Sequence, residues 1–401
     1  MSYLDEGPDD TLRGGARAER WALLAVLGVV ALLLVSLAVP HAFQALAERK
    51  TRDTVPLPPP LKPSPAGEFR GITLKLHSYY SGIPFEKYVE EIARTGANTI
   101  CFSLAAFQEN CASSSLFIEY RKVPSVERIA KLIKLAHDRK LRVVIMPIVL
   151  LENPGPTEWR GAIKPPKLQD WWDDYESYIL FYAALAQQCR AEVFLVGSEL
   201  VSMESETKRW RQLIGKVRKA YKGLLCYSAN WDHYENIEWW GDLDLVGMTT
   251  YHDLVGDKKP SLEVLMESWR PIREKVLAWQ KRIRRPILFT EVGWPSQQGC
   301  AKEPWNYLGS KIPDLATQAR CFQAFFETWK NRKAVGGVLI WEWRNHPPSK
   351  SDPVPEECSY VPRGKPAMDV IQEYFKSPGA LARLEATTAP ASRPATRPVG
   401  E

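Results

Sequence analysis

AEVFLVGSEL (191–200) and PILFTEVGW (286–294) share one pattern: an apolar run rich in β-branched and aromatic residues, ending on a glutamate close to a glycine. Apolar runs of this length suit strands buried on both faces, as in a parallel sheet covered by helices. A glutamate at the end of such a run is expensive to bury unless it is paired or used. Alternation groups Leu195, Gly197 and Glu199 on one side of the first run. It likewise groups Ile287, Phe289 and Glu291 on one side of the second.

Six other runs have the same character: GITLKL (71–76), NTICFSL (98–104), LRVVIMPI (141–148), LLCYSAN (224–230), LDLVGMTTY (243–251) and VGGVLIWEW (335–343). Helical spacing fills most gaps, in FEKYVEEIARTG (85–96), PSVERIAKLIKLAHDRK (124–140), DYESYILFYAALAQQCR (174–190) and KRWRQLIGKVRKAY (208–221). It continues in LEVLMESWRPIREKVLAWQKRI (262–283) and DLATQARCFQAFFETWKNRK (314–333), while the connection after the fifth run is the shortest. Eight such units over 69–376 predict an α/β fold, a closed (β/α)8 TIM barrel rather than an open doubly wound sheet. No GxGxxG follows the first run and no GxxxxGK[ST] occurs, so dinucleotide and P-loop readings lack support. Such barrels do their chemistry at the C-terminal ends of the strands, which sets Glu199 and Glu291 across one mouth.

Outside this unit, WALLAVLGVVALLLVSLAV (21–39) is a charge-free run of 19 residues behind an N-terminal segment, 1–20. At ~1.5 Å per residue it nearly spans a bilayer core of ~30 Å. The run exceeds an ordinary signal-peptide core, so an uncleaved transmembrane helix is expected over cleavage near Ala45-Leu46-Ala47. Residues 53–68 form a Pro-rich linker, and 377–401 a Pro/Ala/Thr-rich tail without a periodic apolar face. The net charge of +6 is small and undirected, which argues against nucleic acid as a partner.

Seven cysteines form no CxxC pair, and no Cys/His spacing suits zinc, so neither metal nor cofactor is expected. Cys101, Cys189, Cys226 and Cys321 lie in apolar segments; Cys111, Cys300 and Cys358 lie in loop-like sequence. Adjacent barrel strands bring the last two loops together, so a Cys300–Cys358 disulfide is expected in an exported domain. The histidines His77, His233, His252 and His346 are scattered and suit substrate contact or the surface better than metal ligation.

One strand-end glutamate alone reads as a structural ion pair; two at strands four and seven can flank one substrate bond. Aromatic residues crowd the same rim: Trp231, Tyr251, Trp294 and Trp341, with Asn230 beside them. Core packing accounts for one or two of these. Tyr251 can donate to Glu291, and Trp341 offers a flat face to a sugar ring.

With these residues the chain resembles the clan A glycoside hydrolases, and within them glycoside hydrolase family 113, the β-mannanase-type barrels. The matching stretches include Trp159-Arg160-Gly161 with Pro165-Pro166, Gly197-Ser198-Glu199-Leu200-Val201 and Trp210-Arg211-Gln212-Leu213-Ile214. They continue through Tyr227-Ser228-Ala229-Asn230-Trp231-Asp232, Asp244-Leu245-Val246-Gly247-Met248 and Thr290-Glu291-Val292-Gly293-Trp294. The resemblance implies that Glu199 is the acid/base and Glu291 the nucleophile of a retaining double displacement. It implies supporting roles for Trp341 and Tyr251, and the position of Asn230, Trp231, Ser198, Trp294 and His77 adds them as expected substrate contacts. Ser198 departs from most of the clan, which places Asn there, and this bears on sugar preference. Mutual repulsion raises one carboxyl of such a pair, expected here at Glu199, with Glu291 kept as the anion. The expected partners are a polysaccharide or oligosaccharide and, through the N-terminal helix, a membrane, with a monomeric catalytic domain outside the cytoplasm. A non-catalytic carbohydrate-binding barrel and a transglycosylase using the same pair remain the alternatives.

Overall fold

Eight parallel strands hydrogen-bond in sequence order and close on themselves. They are β1 (Phe69–Lys75), β2 (Thr99–Gln108), β3 (Arg142–Leu151), β4 (Val193–Ser198), β5 (Leu224–Ala229), β6 (Val246–Thr249), β7 (Ile287–Val292) and β8 (Val335–Trp343). The computed structural model describes residues 67–78, 82–330, 332–343 and 354–376. The segments expected at 1–20, 21–39 and 377–401, and nearly all of 53–68, lie outside the described residues. Among the described residues no helix is long and apolar enough to cross a membrane.

The helices are α1 (Phe85–Ala93), α2 (Val126–Asp138), α3 (Leu168–Cys189), α4 (Thr207–Ala220), α5 (Leu262–Ile283), α6 (Leu315–Trp329) and α7 (Pro366–Lys376). Local chemistry starts several of them. Ser125 accepts from Arg128 N at 3.3 Å, Ser261 from Val264 N at 3.3 Å, and Asp314 from Thr317 N at 3.0 Å. β2 and β7 are buried at every position, as their unbroken apolar runs require.

The connection from β5 to β6 has no α-helix, only two 3₁₀ turns, Tyr234–Asn236 and Trp240–Asp242. Indole rings fill the space a helix would cover. Trp239 stacks on Trp210 of α4 at 4.6 Å and 18°, and Trp240 meets Trp279 of α5 at 5.8 Å and 74°. Each indole N–H is satisfied by a carbonyl: Trp239 donates to Glu204 O and Trp240 to Tyr234 O. Much of the chain's tryptophan is thus spent on the layer outside the barrel, with Trp171, Trp210, Trp239, Trp240, Trp269, Trp294 and Trp329 all fully buried.

The seven cysteines are all free, which corrects the expected Cys300–Cys358 disulfide. Cys300 turns under its loop to Cys321 on α6, and burial together with that thiol pushes Cys321 up.

Candidate active site

Simple alternation does not deliver either glutamate to the barrel mouth. On β4, Gly197 faces the helix layer: a Cβ there would lie 2.4 Å from Tyr175 Oη and 3.3 Å from Trp210. Glu199, two residues on, would follow it outward, but its backbone turns left-handed, with φ at 52°. On β7, Phe289 packs outward on Phe325 and Trp329 of α6. Thr290 points inward and meets Ser228 Oγ of β5 at 2.6 Å. Between Phe289 and Val292, β7 then carries one residue more than either neighbour: Thr249 pairs with Glu291 directly after Met248 pairs with Phe289. This bulge sends Glu291 inward as well. A close approach supports it, since Gly293 leaves room for the Trp341 carbonyl 2.3 Å from where a Cβ would stand.

The two carboxylates converge on Arg160, from the 3₁₀ turn Arg160–Ala162 after β3. Its Nη2 lies 2.7 Å from Glu199 Oε2 and 4.0 Å from Glu291 Oε1. Tyr251, just past β6, donates to Glu291 Oε2 at 2.7 Å, as expected. Both glutamates are buried. Burial first, then the charge of Glu199, pushes the Glu291 carboxyl up to about 8, against Arg160 and Tyr251, which pull it down. The sequence expectation placed the raised carboxyl at Glu199; the structure places a raised carboxyl at Glu291, the deeper of the two. Burial and the Glu291 charge hold the Tyr251 phenol well above its usual range, so it stays a proton donor.

The other expected residues divide. The Ser198 hydroxyl is buried beside Glu199 without a hydrogen-bond partner among the described residues. Trp341 is half-buried on the rim, with Lys75 Nζ 5.9 Å from its ring centroid. Trp231 is half-buried, stacked on the exposed Trp305 at 6.1 Å and 15°. Asn230 is turned to its own loop, donating to Asp232 at 2.7 Å. His77 lies two residues beyond β1, half-buried at the same end of the barrel. Trp294 is a correction: it is fully buried, edge-on to Phe322 at 5.2 Å, and belongs to the core between β7 and α6. An indole directly after a bulged strand cannot be assigned inside or outside by alternation.

Three features escaped the sequence reading. Arg160 stood in a quoted stretch, but nothing local tells that a loop arginine reaches two strand ends. Lys75 and Glu342 form an ion pair of 3.1 Å below the rim, adding a third carboxylate near Glu291. Trp305 extends the aromatic rim from the β7–α6 loop. Among the described residues no cluster of three or more His, Cys, Asp or Glu side chains is set to hold a metal ion.

Comparison with known proteins adds to this geometry. The profile of Glycoside Hydrolase Family 113 matches residues 74–365. A solved GH113 β-1,4-mannanase is 27% identical, with 78% of this chain and 100% of that one covered and a TM-score of 0.69. The GH113 β-mannanase of Alicyclobacillus acidocaldarius is 26% identical, covering 77% and 97%, with a TM-score of 0.68. The endo-β-1,4-mannanase of Thermotoga petrophila, at 12% identity and TM-score 0.51, shares the fold. No curated protein matches the chain.

Proposed function

The chain belongs to glycoside hydrolase family 113 and is a glycosidase, and from that premise we propose that it is a β-mannanase acting with retention through Glu199 and Glu291. One observation carries the assignment: two buried carboxylates share one guanidinium nitrogen, and one of them also accepts from a tyrosine. Retention requires a carboxyl spacing of about 5–5.5 Å, against the 6.5–9.5 Å of inverting enzymes. The mannan preference draws on the similar solved structures, both β-mannanases. A non-catalytic barrel would have no use for such a costly pair.

In the resting site burial, then the charge of Glu199, favours the protonated form of Glu291. A bound glycoside changes the balance. Positive charge growing at the anomeric carbon favours an anionic Glu291, and the leaving oxygen calls for a proton from Glu199. Arg160 occupies Glu199 Oε2, which leaves Oε1 to carry that proton. Glu291 attacks the anomeric carbon while the bond to the leaving oxygen breaks and takes the proton. Glu199 then accepts a proton from water, whose oxygen displaces Glu291 and restores the starting configuration. Tyr251 steadies the carboxylate of Glu291 before and after the covalent stage.

The test is product analysis on mannan, glucan and galactan with the soluble 53–376 fragment, with the anomeric configuration read by NMR. β-Configured manno-oligosaccharides are expected, and longer products on adding acceptor sugars would turn the reading to transglycosylation. Glu291→Ala abolishes turnover of every substrate; full activity in that variant would end the assignment. Glu199→Ala spares kcat/KM for substrates with acidic leaving groups, and azide restores its turnover as a glycosyl azide.

We also propose that 21–39 anchors the domain, on the strength of its charge-free length, and that the domain lies outside the cytoplasm, where polymeric glycans are found. Protease added to intact cells should then remove the domain; loss only after permeabilisation would place it inside.

A further inference from the structure

Among the described residues, four non-glycine residues have a left-handed backbone: Lys140, Arg190, Glu199 and Arg284. Arg190 and Arg284 cap the C-termini of α3 and α5, and Lys140 follows the cap of α2, where this conformation is ordinary. Among the described residues Glu199 alone adopts it directly after a strand. Such a conformation persists only where the surroundings over-determine it.

What surrounds it is a buried chain of hydrogen bonds. Glu199 N donates to Ser228 O at 2.8 Å. Leu200 N donates to Tyr227 Oη at 2.9 Å, and Tyr227 Oη donates to Glu204 Oε1 at 2.8 Å. Tyr227, Leu200 and Glu204 are all buried. Glu204 accepts the hydrogen bond of the single phenolic O–H, so the lone pairs of the hydroxyl face the Leu200 amide. The following turn is pinned too: Trp210 Nε1 donates to Met203 O at 2.8 Å, Trp239 Nε1 to Glu204 O at 3.1 Å, and Ser202 Oγ to Ile163 O at 2.6 Å.

From this arrangement we infer that Tyr227 and Glu204 are positioning residues that hold the Glu199 backbone in the turn aiming its carboxyl at the leaving-group oxygen. They act through Leu200 N, one peptide beyond Glu199. The inference rests on Glu199 being the acid/base. Burial and the Glu204 charge hold the Tyr227 phenol far above neutral pH, so it remains protonated and keeps its orientation.

A merely structural pair would affect all substrates alike, whereas a pair acting through Glu199 matters where the leaving group needs a proton. The experiment measures kcat/KM, which reports glycosylation, for a β-mannooligosaccharide and for a dinitrophenyl β-mannoside. Tyr227→Phe should lose about 10-fold or more on the oligosaccharide, a part of the 10²–10⁴-fold that general acids contribute. Its loss on the dinitrophenyl substrate should be 2-fold or less, roughly. Glu204→Gln, which still accepts the phenolic proton, should stay near wild type, and Glu204→Met should behave like Tyr227→Phe. If Tyr227→Phe does not fold, Glu204→Met carries the same comparison. Equal losses on both substrates would overturn the inference while leaving Glu199 its role, provided Glu199→Ala shows the selectivity in full. Absence of selectivity in Glu199→Ala would instead remove the acid/base assignment itself.

Discussion

Arg160 and Tyr251 act on the same carboxyl in the same direction. Each lowers Glu291 against the burial that raises it to about 8. In the proposed mechanism Glu291 must be ionised to attack, so the acidic limb of the kcat/KM profile should follow its ionisation in the free enzyme. Tyr251→Phe removes a donor to the anion and should move that limb to higher pH, with kcat lower by about 10²-fold. Arg160→Met removes a cation from both glutamates and should move the limb the same way. A pH–rate profile for each variant checks this; a limb displaced to lower pH would contradict the assigned charges. At this scale the glutamates and Tyr251 were legible in the sequence, because apolar runs ending in polar residues stand out. Arg160 was not, because only folding carries its turn to the mouth.

Between β4 and its covering helices the limiting dimension is one hydrogen atom. Gly197→Ala would drive a methyl into the Tyr175 hydroxyl, which donates to Val196 O at 2.7 Å. Overpacking of this kind costs about 1–3 kcal/mol, and it should also disturb Glu199 two residues away. In the helix-free fifth connection, Trp239→Ala should cost about 3–5 kcal/mol, since its ring replaces a helix face and satisfies Glu204 O. Urea denaturation of both variants measures these losses; an unchanged midpoint for Trp239→Ala would show the connection packed by other means. The strands and the helices α1 to α6 were legible from their periodicities, whereas α7 was not among the stretches read as helical. The missing fifth helix showed only as a short connection, because nothing in the spacing announces that stacked indoles will close the gap.

Across the whole barrel, the floor is tied by Glu68. Tyr374 of α7 and Arg70 of β1 both hydrogen-bond its carboxylate, while Arg70 also donates to Phe375 O at 2.6 Å and Arg142 to Gly67 O at 2.8 Å. These contacts fasten the last helix to the first strand. Burial pushes the Glu68 carboxyl up to about 7 from its ordinary 4.5, against Tyr374 and Arg70. The folded chain therefore holds this proton more tightly than the unfolded chain. The penalty for burying Glu68 is absent below pH 4.5 and complete above about 7. Glu68→Gln should gain stability relative to wild type as pH rises through that window, by up to about 3 kcal/mol. Paired urea titrations at both ends of the window test it, and a constant difference would show that Glu68 titrates as it does in the unfolded chain.

Composition and periodicity alone determined the class of this fold, the count of eight strands and the strands that carry Glu199 and Glu291 at their ends. These are properties of local pattern: burial on both faces demands an unbroken apolar run, and a costly carboxylate in such a run marks its use. Which way each carboxylate points was decided by tertiary structure. Strict alternation carries Glu199 and Glu291 toward the helices with Gly197 and Phe289, and a left-handed residue and a bulge turn them back. Both departures depend on contacts made by other strands and helices, so no window of sequence contains them. The same holds for Trp294, placed in the core by Phe322, and for Arg160, whose partners lie 39 residues away just past β4 and farther still on β7.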